Sequence, residues 1–222
     1  MSKPALVIFD LDNTILNGDS DYAMINYLVH TQALDESAGK QNQIFIADYQ
    51  RGELDFDAYT TFALSAYVGM TRTEINEYML PFVTKVIEPM INTLALKIIH
   101  DHGDSGDTIL LASATNELIV QPIAKRLDIQ NVIGTQVKFI NNKCTGEYIP
   151  PSALGEGKLQ LVQQWMQKNN FDDFSGVTFY SDSINDLPLL EAVDFPKAVN
   201  PDAMLEKISL ERGWEIIDLP IL

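Results

Sequence analysis

The apolar run Leu6-Val7-Ile8-Phe9 stops abruptly at two carboxylates one residue apart, Asp10 and Asp12. Because the run does not alternate with polar residues, it predicts a strand buried on both faces, as in a parallel sheet. Two further strand-like runs end in a similar way: residues 108–112 break onto Ser113, Ala114 and Thr115, and residues 177–181 break onto Asp182, Ser183, Ile184, Asn185 and Asp186. Between 17 and 86 the pattern changes, with no strand signal and with apolar positions at helical spacing. Tyr22, Ile25, Leu28 and Val29 predict one helix capped by Asp19 or Ser20. Others are predicted over about 37–51, with Ile44, Phe45 and Tyr49, and over about 56–68 and 73–87. Gly52, Gly69-Met70 and Pro81 read as the breaks between them.

From Pro89 onward strands and helices alternate. Helices are predicted over 90–101, over 116–127 with an interruption near Pro122, over 156–169, over a short stretch through Leu190, and over 202–212. Short strands are predicted over 131–134 and at 198–199, with a final edge strand over 214–217. Residues 136–139 and 145–148 flank Asn141-Asn142-Lys143 as a β-hairpin. This order predicts an α/β fold: a doubly wound, mainly parallel sheet with a small hairpin, interrupted after its first strand by an all-helical insert. The expected division is 1–16 and 87–222 for the α/β core and 17–86 for a helical cap. Such a cap leaves and re-enters at the sheet's catalytic edge, where it can exclude water and select substrates.

Ligands of open α/β sheets sit outside the carboxyl ends of the strands, so the polar breaks should meet in one crevice. Two carboxylates there repel each other unless a cation lies between them. Mg²⁺, which accepts one or two carboxylates together with waters and a substrate phosphate, suits that place. Read alone, Asp12-Asn13-Thr14 is equally a helix cap after a strand.

The set Asp10-x-Asp12-x-Thr14, Ser113, Lys158 and Asp182-x-x-x-Asp186, in that order, resembles the four motifs of the haloacid dehalogenase (HAD) superfamily. The run from Tyr180 to Leu190 is most similar to the subfamily of phosphoserine-phosphatase-like members, and the resemblance spans nearly the whole chain. It implies a HAD-like core with a helical cap and a Mg²⁺-dependent phosphatase acting through an aspartyl phosphate. Asp10 would be the nucleophile, and Asp12 the acid and base for leaving group and water. Asp10, Asp182 and the backbone carbonyl of Asp12 would hold the metal, with Thr14 and Asp186 behind them. Ser113, the neighbouring N–H of Ala114, and Lys158 would bind the phosphoryl group. Asp19 would face a substrate amine. Asn185 would face the substrate too, or else cap the following turn. Dehalogenase members lack the second acid, since a halide leaves without a proton, so Asp12 points to phosphate esters. The family's cap arginine, which meets the carboxylate of phosphoserine, falls near Thr60 or Thr61 here. Arg51 and Arg72, the cap's arginines, are out of register, which favours an amine-bearing phosphate without a carboxylate, such as histidinol phosphate, over phosphoserine.

Composition narrows the remainder. A net charge of −16 over 222 residues argues against nucleic acid. The acids are spread along the chain and read chiefly as a solvated surface. A single cysteine, Cys144, excludes an internal disulfide and favours a reducing compartment. Without a signal-peptide pattern or a membrane-length apolar run, the expectation is a cytoplasmic monomer or homodimer acting on a small phosphorylated metabolite. His100-Asp101-His102 reads as a solvated helix end. Alternatives are a phosphoryl transferase or mutase of the same fold, a phosphoaccepting signalling module, and an idle binding protein.

Overall fold

The structure is a computed structural model that describes residues 4–51 and 53–220; Gly52, read above as a helix break, lies outside them. Six strands form one parallel sheet in the order β3-β2-β1-β6-β7-β8, with β1 Leu6–Phe9, β2 Thr108–Asn116, β3 Asn131–Thr135, β6 Thr178–Ser181, β7 Phe195–Val199 and β8 Glu215–Ile217. β4 Val137–Ile140 and β5 Lys143–Tyr148 form a separate antiparallel hairpin. Its two turn residues, Asn141 and Asn142, both have positive φ, the conformation a tight hairpin turn demands and one asparagine tolerates.

β1 is buried along its whole length because its two faces feed two cores. Val7 and Phe9 pack with α5 Thr93–Asp104 and α6 Glu117–Arg126, while Leu6 and Ile8 pack with α7 Glu156–Lys168, α8 Leu187–Ala192 and α9 Ala203–Arg212. Each such side chain contributes about 1.5–3 kcal/mol on burial, so neither face can drift. The winding reverses between β1 and β6, which places the switch point at the carboxyl ends of the strands bearing Asp10 and Asp182.

After β1 the chain builds four helices, α1 Ser20–His30, α2 Glu36–Gln50, α3 Phe56–Leu64 and α4 Arg72–Phe82, before returning to the sheet. Exit and return are stitched together: Leu16 and Ile91 form an antiparallel bridge, and the Asn17 N–H donates to the Met90 carbonyl at 2.7 Å. The hairpin grips the same insert. Gly69 N–H donates to the Cys144 carbonyl (2.9 Å), Cys144 N–H to the Met70 carbonyl (2.8 Å), and the Tyr148 hydroxyl to Asp57 (2.6 Å).

Several local expectations are corrected. β2 runs on to Asn116, with a register shift between Ala112 and Asn116, so Ser113, Ala114 and Thr115 form an irregularity within the strand rather than its sequel. Pro122 does not interrupt α6, and Pro81 does not end α4, which continues to Phe82 and then widens into a π-helical turn over Val83–Ile87. Proline removes one N–H and crowds the preceding turn, but here the buried faces, Ile119 and Ile123 in α6 and Met79 and Phe82 in α4, hold the helix together. His100 is exposed, as expected; His102 is partly buried, its ring nitrogens lying 2.8 Å from Asp107 and 3.0 Å from the Tyr180 hydroxyl.

Candidate active site

At the carboxyl end of β1 the Asp10 N–H makes a last bond to the Tyr180 carbonyl of β6 (2.9 Å). Its side chain then enters a cleft walled by the strand ends and by α1, α2 and α3. The cleft encloses about 740 Å³ of space, open solvent at its mouth included, and Asp10, Asp12, Asp19, Ser113, Ala114, Lys158, Asp182, Asn185 and Asp186 all line it. Thr14, just behind, is buried, and its hydroxyl donates to Asp182 at 3.4 Å. The residues singled out from sequence therefore converge.

Lys158 is the pivot. It is 2% exposed, and its Nζ lies 2.7 Å from Asp10 and 2.7 Å from Asp186. A cation this deep is tolerable only when paired, and the paired carboxylates hold its proton affinity above that of a free lysine despite the burial. The first turn of α7 reaches this depth because position 157 is glycine: a Cβ there would lie 2.0 Å from the Ser152 carbonyl oxygen. Asp186 accepts a further bond from the Ser181 hydroxyl at 2.7 Å. Its main role in this geometry is thus to hold Lys158.

Asp12 is held from two other elements. Ser20 N–H donates to it at 2.6 Å and the Thr115 hydroxyl at 2.8 Å, with the Ser113 hydroxyl at 3.5 Å. Burial and its neighbour Asp19 push its carboxyl up to about 6, the Ser20 and Thr115 bonds opposing the rise. Burial likewise pushes Asp10 up to about 7, with Lys158 pulling down and Asp186 and Asp12 pushing up. Asp182 is raised well above the usual carboxylate range by burial and by Asp10 and Asp186. Its loop is fixed from behind, where Asp202 N–H donates to the Asp182 carbonyl (2.8 Å) and the Asp202 carboxylate accepts from Ile184 N–H (2.7 Å).

Carboxyls raised in one place mark a site short of positive charge. Among the described residues no group of three His, Cys, Asp or Glu side chains is spaced to hold a metal ion. The Asp12 side chain, turned to Ser20 and Thr115, is not free to complete such a group. Two carboxylates, Asp10 and Asp182, with one backbone carbonyl remain a donor set that fits Mg²⁺, which keeps most of its waters.

Asp19 caps α1, accepting from Tyr22 N–H at 2.7 Å, and still lines the cleft. Asn185 is not the cap of its turn: Ser183 is, its hydroxyl accepting from Asn185 N–H at 3.2 Å. The site also draws on residues that the sequence did not single out for it. Thr115 and Ser20 hold Asp12, and the Tyr49 hydroxyl meets Ser183 across the mouth at 3.3 Å. Asp21, Phe56 and Tyr59 line the cleft too, and also line a narrow recess that Lys158 does not. Asp21 carried a faint signal, an acid in the first turn of a helix, indistinguishable from ordinary dipole compensation. Arg72 is bound to Glu117 at 2.7 Å and does not line the cleft; Arg51, bound to Asp48 and Glu53, lies outside it but lines the adjoining pocket that shares Asp19, Tyr49, Asp182 and Asn185.

A curated relative, a histidinol-phosphatase of Neisseria meningitidis serogroup C (strain 8013), is 40% identical over 217 residues, 96% of this chain and 98% of its own. The crystal structure of a protein of unknown function from Bordetella pertussis Tohama I superposes with a TM-score of 0.89 at 34% identity, covering 99% of this chain and 100% of that one. A substrate-bound phosphoserine phosphatase shares the fold at a TM-score of 0.72 and 14% identity, covering 98% and 94%. A family model described as haloacid dehalogenase-like hydrolase matches residues 7–191, from the middle of β1 to the end of α8, and the chain belongs to that family.

Proposed function

We propose that this chain is a Mg²⁺-dependent phosphomonoesterase whose substrate is histidinol phosphate or a similar amine-bearing ester, with residues 17–86 as its cap. The observation that carries the reading is the buried Lys158–Asp10 pair sharing one cleft with Asp12, a carboxyl pushed up to about 6 and steered by Ser20 and Thr115. Asp10 is placed to attack phosphorus. As the Asp10–phosphorus bond forms and the bond to the alcohol oxygen breaks, Asp12 gives its proton to that oxygen. Asp12 then takes a proton from water, the water oxygen bonds phosphorus, and Asp10 and free phosphate separate. One group can do both only if its proton affinity lies near working pH.

Lys158 offsets the charge of Asp10 and the phosphoryl oxygens together, while the Ser113 hydroxyl and the Ala114 N–H provide donors for those oxygens. Mg²⁺, held by Asp10, Asp182 and the Asp12 carbonyl, would supply the charge that lets a carboxylate approach an anionic phosphoryl group.

For the substrate, the named Neisseria relative and the lining of the cleft agree. Lys158 is the one cation among the residues lining the cleft, and both its partners are internal; Arg51, in the adjoining outer pocket, is already paired with Asp48 and Glu53, so a substrate carboxylate would find no uncommitted cation. Of Thr60 and Thr61, near which related phosphoserine phosphatases are expected to carry arginine, Thr60 is buried and gives its hydroxyl proton to the Phe56 carbonyl at 2.8 Å, and Thr61 is exposed; neither carries a charge. Phosphate release from a panel of phosphorylated metabolites tests this. Histidinol phosphate should show a kcat/KM about tenfold or more above phosphoserine, the size of one charge-assisted bond, and activity should vanish with a chelator and return with Mg²⁺. A preference for phosphoserine would overturn the substrate; transfer of the phosphoryl group to an alcohol instead of water would overturn the hydrolase.

A further inference from the structure

Beyond Asp19 the cleft ends at a narrow recess lined by Asp21, Phe56, Tyr59, Thr60, Ala63, Ala114, Asn116 and Thr135, with room for about one water-sized group. What distinguishes it is its inventory of protons. Asp21, in the first turn of α1, is 9% exposed, and Asn116 Nδ2 donates to its Oδ1 at 2.9 Å. That bond turns Asn116 Oδ1 the other way, where this 4%-exposed side chain has a buried acceptor atom with no partner. A hydroxyl has one proton to give. The Thr115 hydroxyl is shared between Asp12, at 2.8 Å, and Asp21; Thr60 gives its proton to the Phe56 carbonyl and Thr135 to the Ala114 carbonyl at 2.6 Å, while Tyr59, with a hydroxyl proton of its own, also lines the recess.

The recess therefore offers an amide oxygen with no donor in place and, beside it, a buried carboxyl bonded by Asn116 and Thr115. An unmatched buried acceptor is costly, and burial with the nearby Asp19 and Asp12 raises the Asp21 carboxyl well above its ordinary range. No cation among the residues lining the recess relieves it. The approach to the recess is aromatic: Phe45, Phe56 and Tyr59 line the adjoining cleft, with the Phe45 and Tyr59 rings edge to face at 5.4 Å. Aromatic walls beside a carboxylate favour a flat cation over an aliphatic or anionic group.

We propose that Asp21 and Asn116 form a specificity site that receives the N–H edge of a nitrogen ring on the substrate, an imidazole or an imidazolium, while the ring itself lies among Phe45, Phe56 and Tyr59. The recess is too narrow for the ring and takes only its edge. This deepens the phosphomonoesterase reading and rests on it for the identity of the substrate, but the binding it describes needs no phosphate.

The test has two arms. In the first, phosphate release is measured for histidinol phosphate, for the same ester methylated on its ring nitrogens, and for glycerol phosphate, with wild-type protein and with Asp21→Asn. Methylation removes the ring N–H and should lower kcat/KM about tenfold or more in the wild type, a result that needs no variant to fold. In Asp21→Asn the ratio of kcat/KM for histidinol phosphate to that for glycerol phosphate should fall about tenfold to a hundredfold. In the second arm, calorimetry follows the binding of histidinol, which carries no phosphate, to both proteins; the wild type should bind it and Asp21→Asn should bind it at least about tenfold more weakly. Equal rates for the methylated ester, or an unchanged ratio in Asp21→Asn, overturns the site while leaving the phosphatase reading intact. If no ester is cleaved yet histidinol binds through Asp21, the phosphatase reading falls and the site stands. If histidinol does not bind the wild type, the recess holds only water and the proposal is wrong.

Discussion

The two ends of the cleft are built on opposite terms. At the phosphoryl end Lys158, Asp186 and Asp12 are each held from more than one element: Lys158 by Asp10 and Asp186, Asp186 by Lys158 and Ser181, and Asp12 by Ser20 and Thr115. At the far end Asp21 shares the Thr115 hydroxyl with Asp12 and accepts from Asn116, whose own oxygen is unmatched. A phosphoryl group is the same in every ester, so its cradle can be finished before the ligand arrives, which avoids reorganisation during reaction. The alcohol is what differs between substrates, and the groups that select it stay incomplete until it binds. Removing a partner from the finished end should therefore cost function or stability outright, whereas changes at the open end should alter preference.

The largest break is Asp10→Asn. It keeps the shape of the side chain but removes the nucleophilic oxygen, so turnover of any ester should fall by about 10⁴ or more. Because Lys158 keeps Asp186, the fold should survive with an unaltered circular dichroism spectrum, and histidinol should still bind at the recess. Activity near that of wild type would show that Asp10 is not the group that attacks.

Next comes Lys158→Met. It leaves the Asp10 and Asp186 carboxylates buried side by side without their cation, and stripping one partner from a buried ion pair typically costs about 3–5 kcal/mol. Urea denaturation should report a loss of that order. Adding Asp186→Asn to the same chain should recover part of it, since the second change removes one of the stranded charges; the two sites touch, so their effects should not add. A loss under about 1 kcal/mol in the single variant would mean that water reaches these carboxylates and that the cradle is not closed.

How far this contrast can be read from sequence follows the same line. The phosphoryl end is legible because its chemistry fixes residue types at fixed offsets: acids after an apolar strand at Asp10, Asp12 and Asp182, a hydroxyl at Ser113, a lysine beginning a helix at Lys158. The sheet is legible too, since β1 is a continuous apolar run and β6 a short stretch of β-branched and aromatic residues leading into acids. Where local and tertiary preferences disagree, sequence reading fails. Pro122 and Pro81 look like helix breaks, yet packing of the buried helix faces outweighs the one lost N–H. His102 looks like a solvated helix end because Asp107 and Tyr180, its partners, are distant in pattern or in chain. Asp21 and Asn116 lie 95 positions apart and belong to no short motif, so nothing along the chain pairs them. The open end of the cleft is set by such long-range pairs, which is why substrate choice is harder to read than reaction type.

The smallest effect tests the seam between the ends. Tyr49, on α2, reaches Ser183 beside Asp182, its hydroxyl 3.3 Å from the serine oxygen. The contact joins the helical insert to the phosphoryl end at the mouth of the cleft. Tyr49→Phe removes the hydroxyl's bonds to Ser183 and its neighbour Asn185 and little else, since the ring keeps its place. The net worth of such a bond is about 1 kcal/mol, so global stability should change by no more than about that amount for each. If the insert closes over bound substrate, the lost bonds weaken closure, and KM should rise about fivefold while kcat changes less than about twofold. A fall in kcat with KM unchanged would mean that Tyr49 acts on the chemistry through Ser183 and Asp182, and that the insert belongs to the finished end of the cleft rather than to the selecting one.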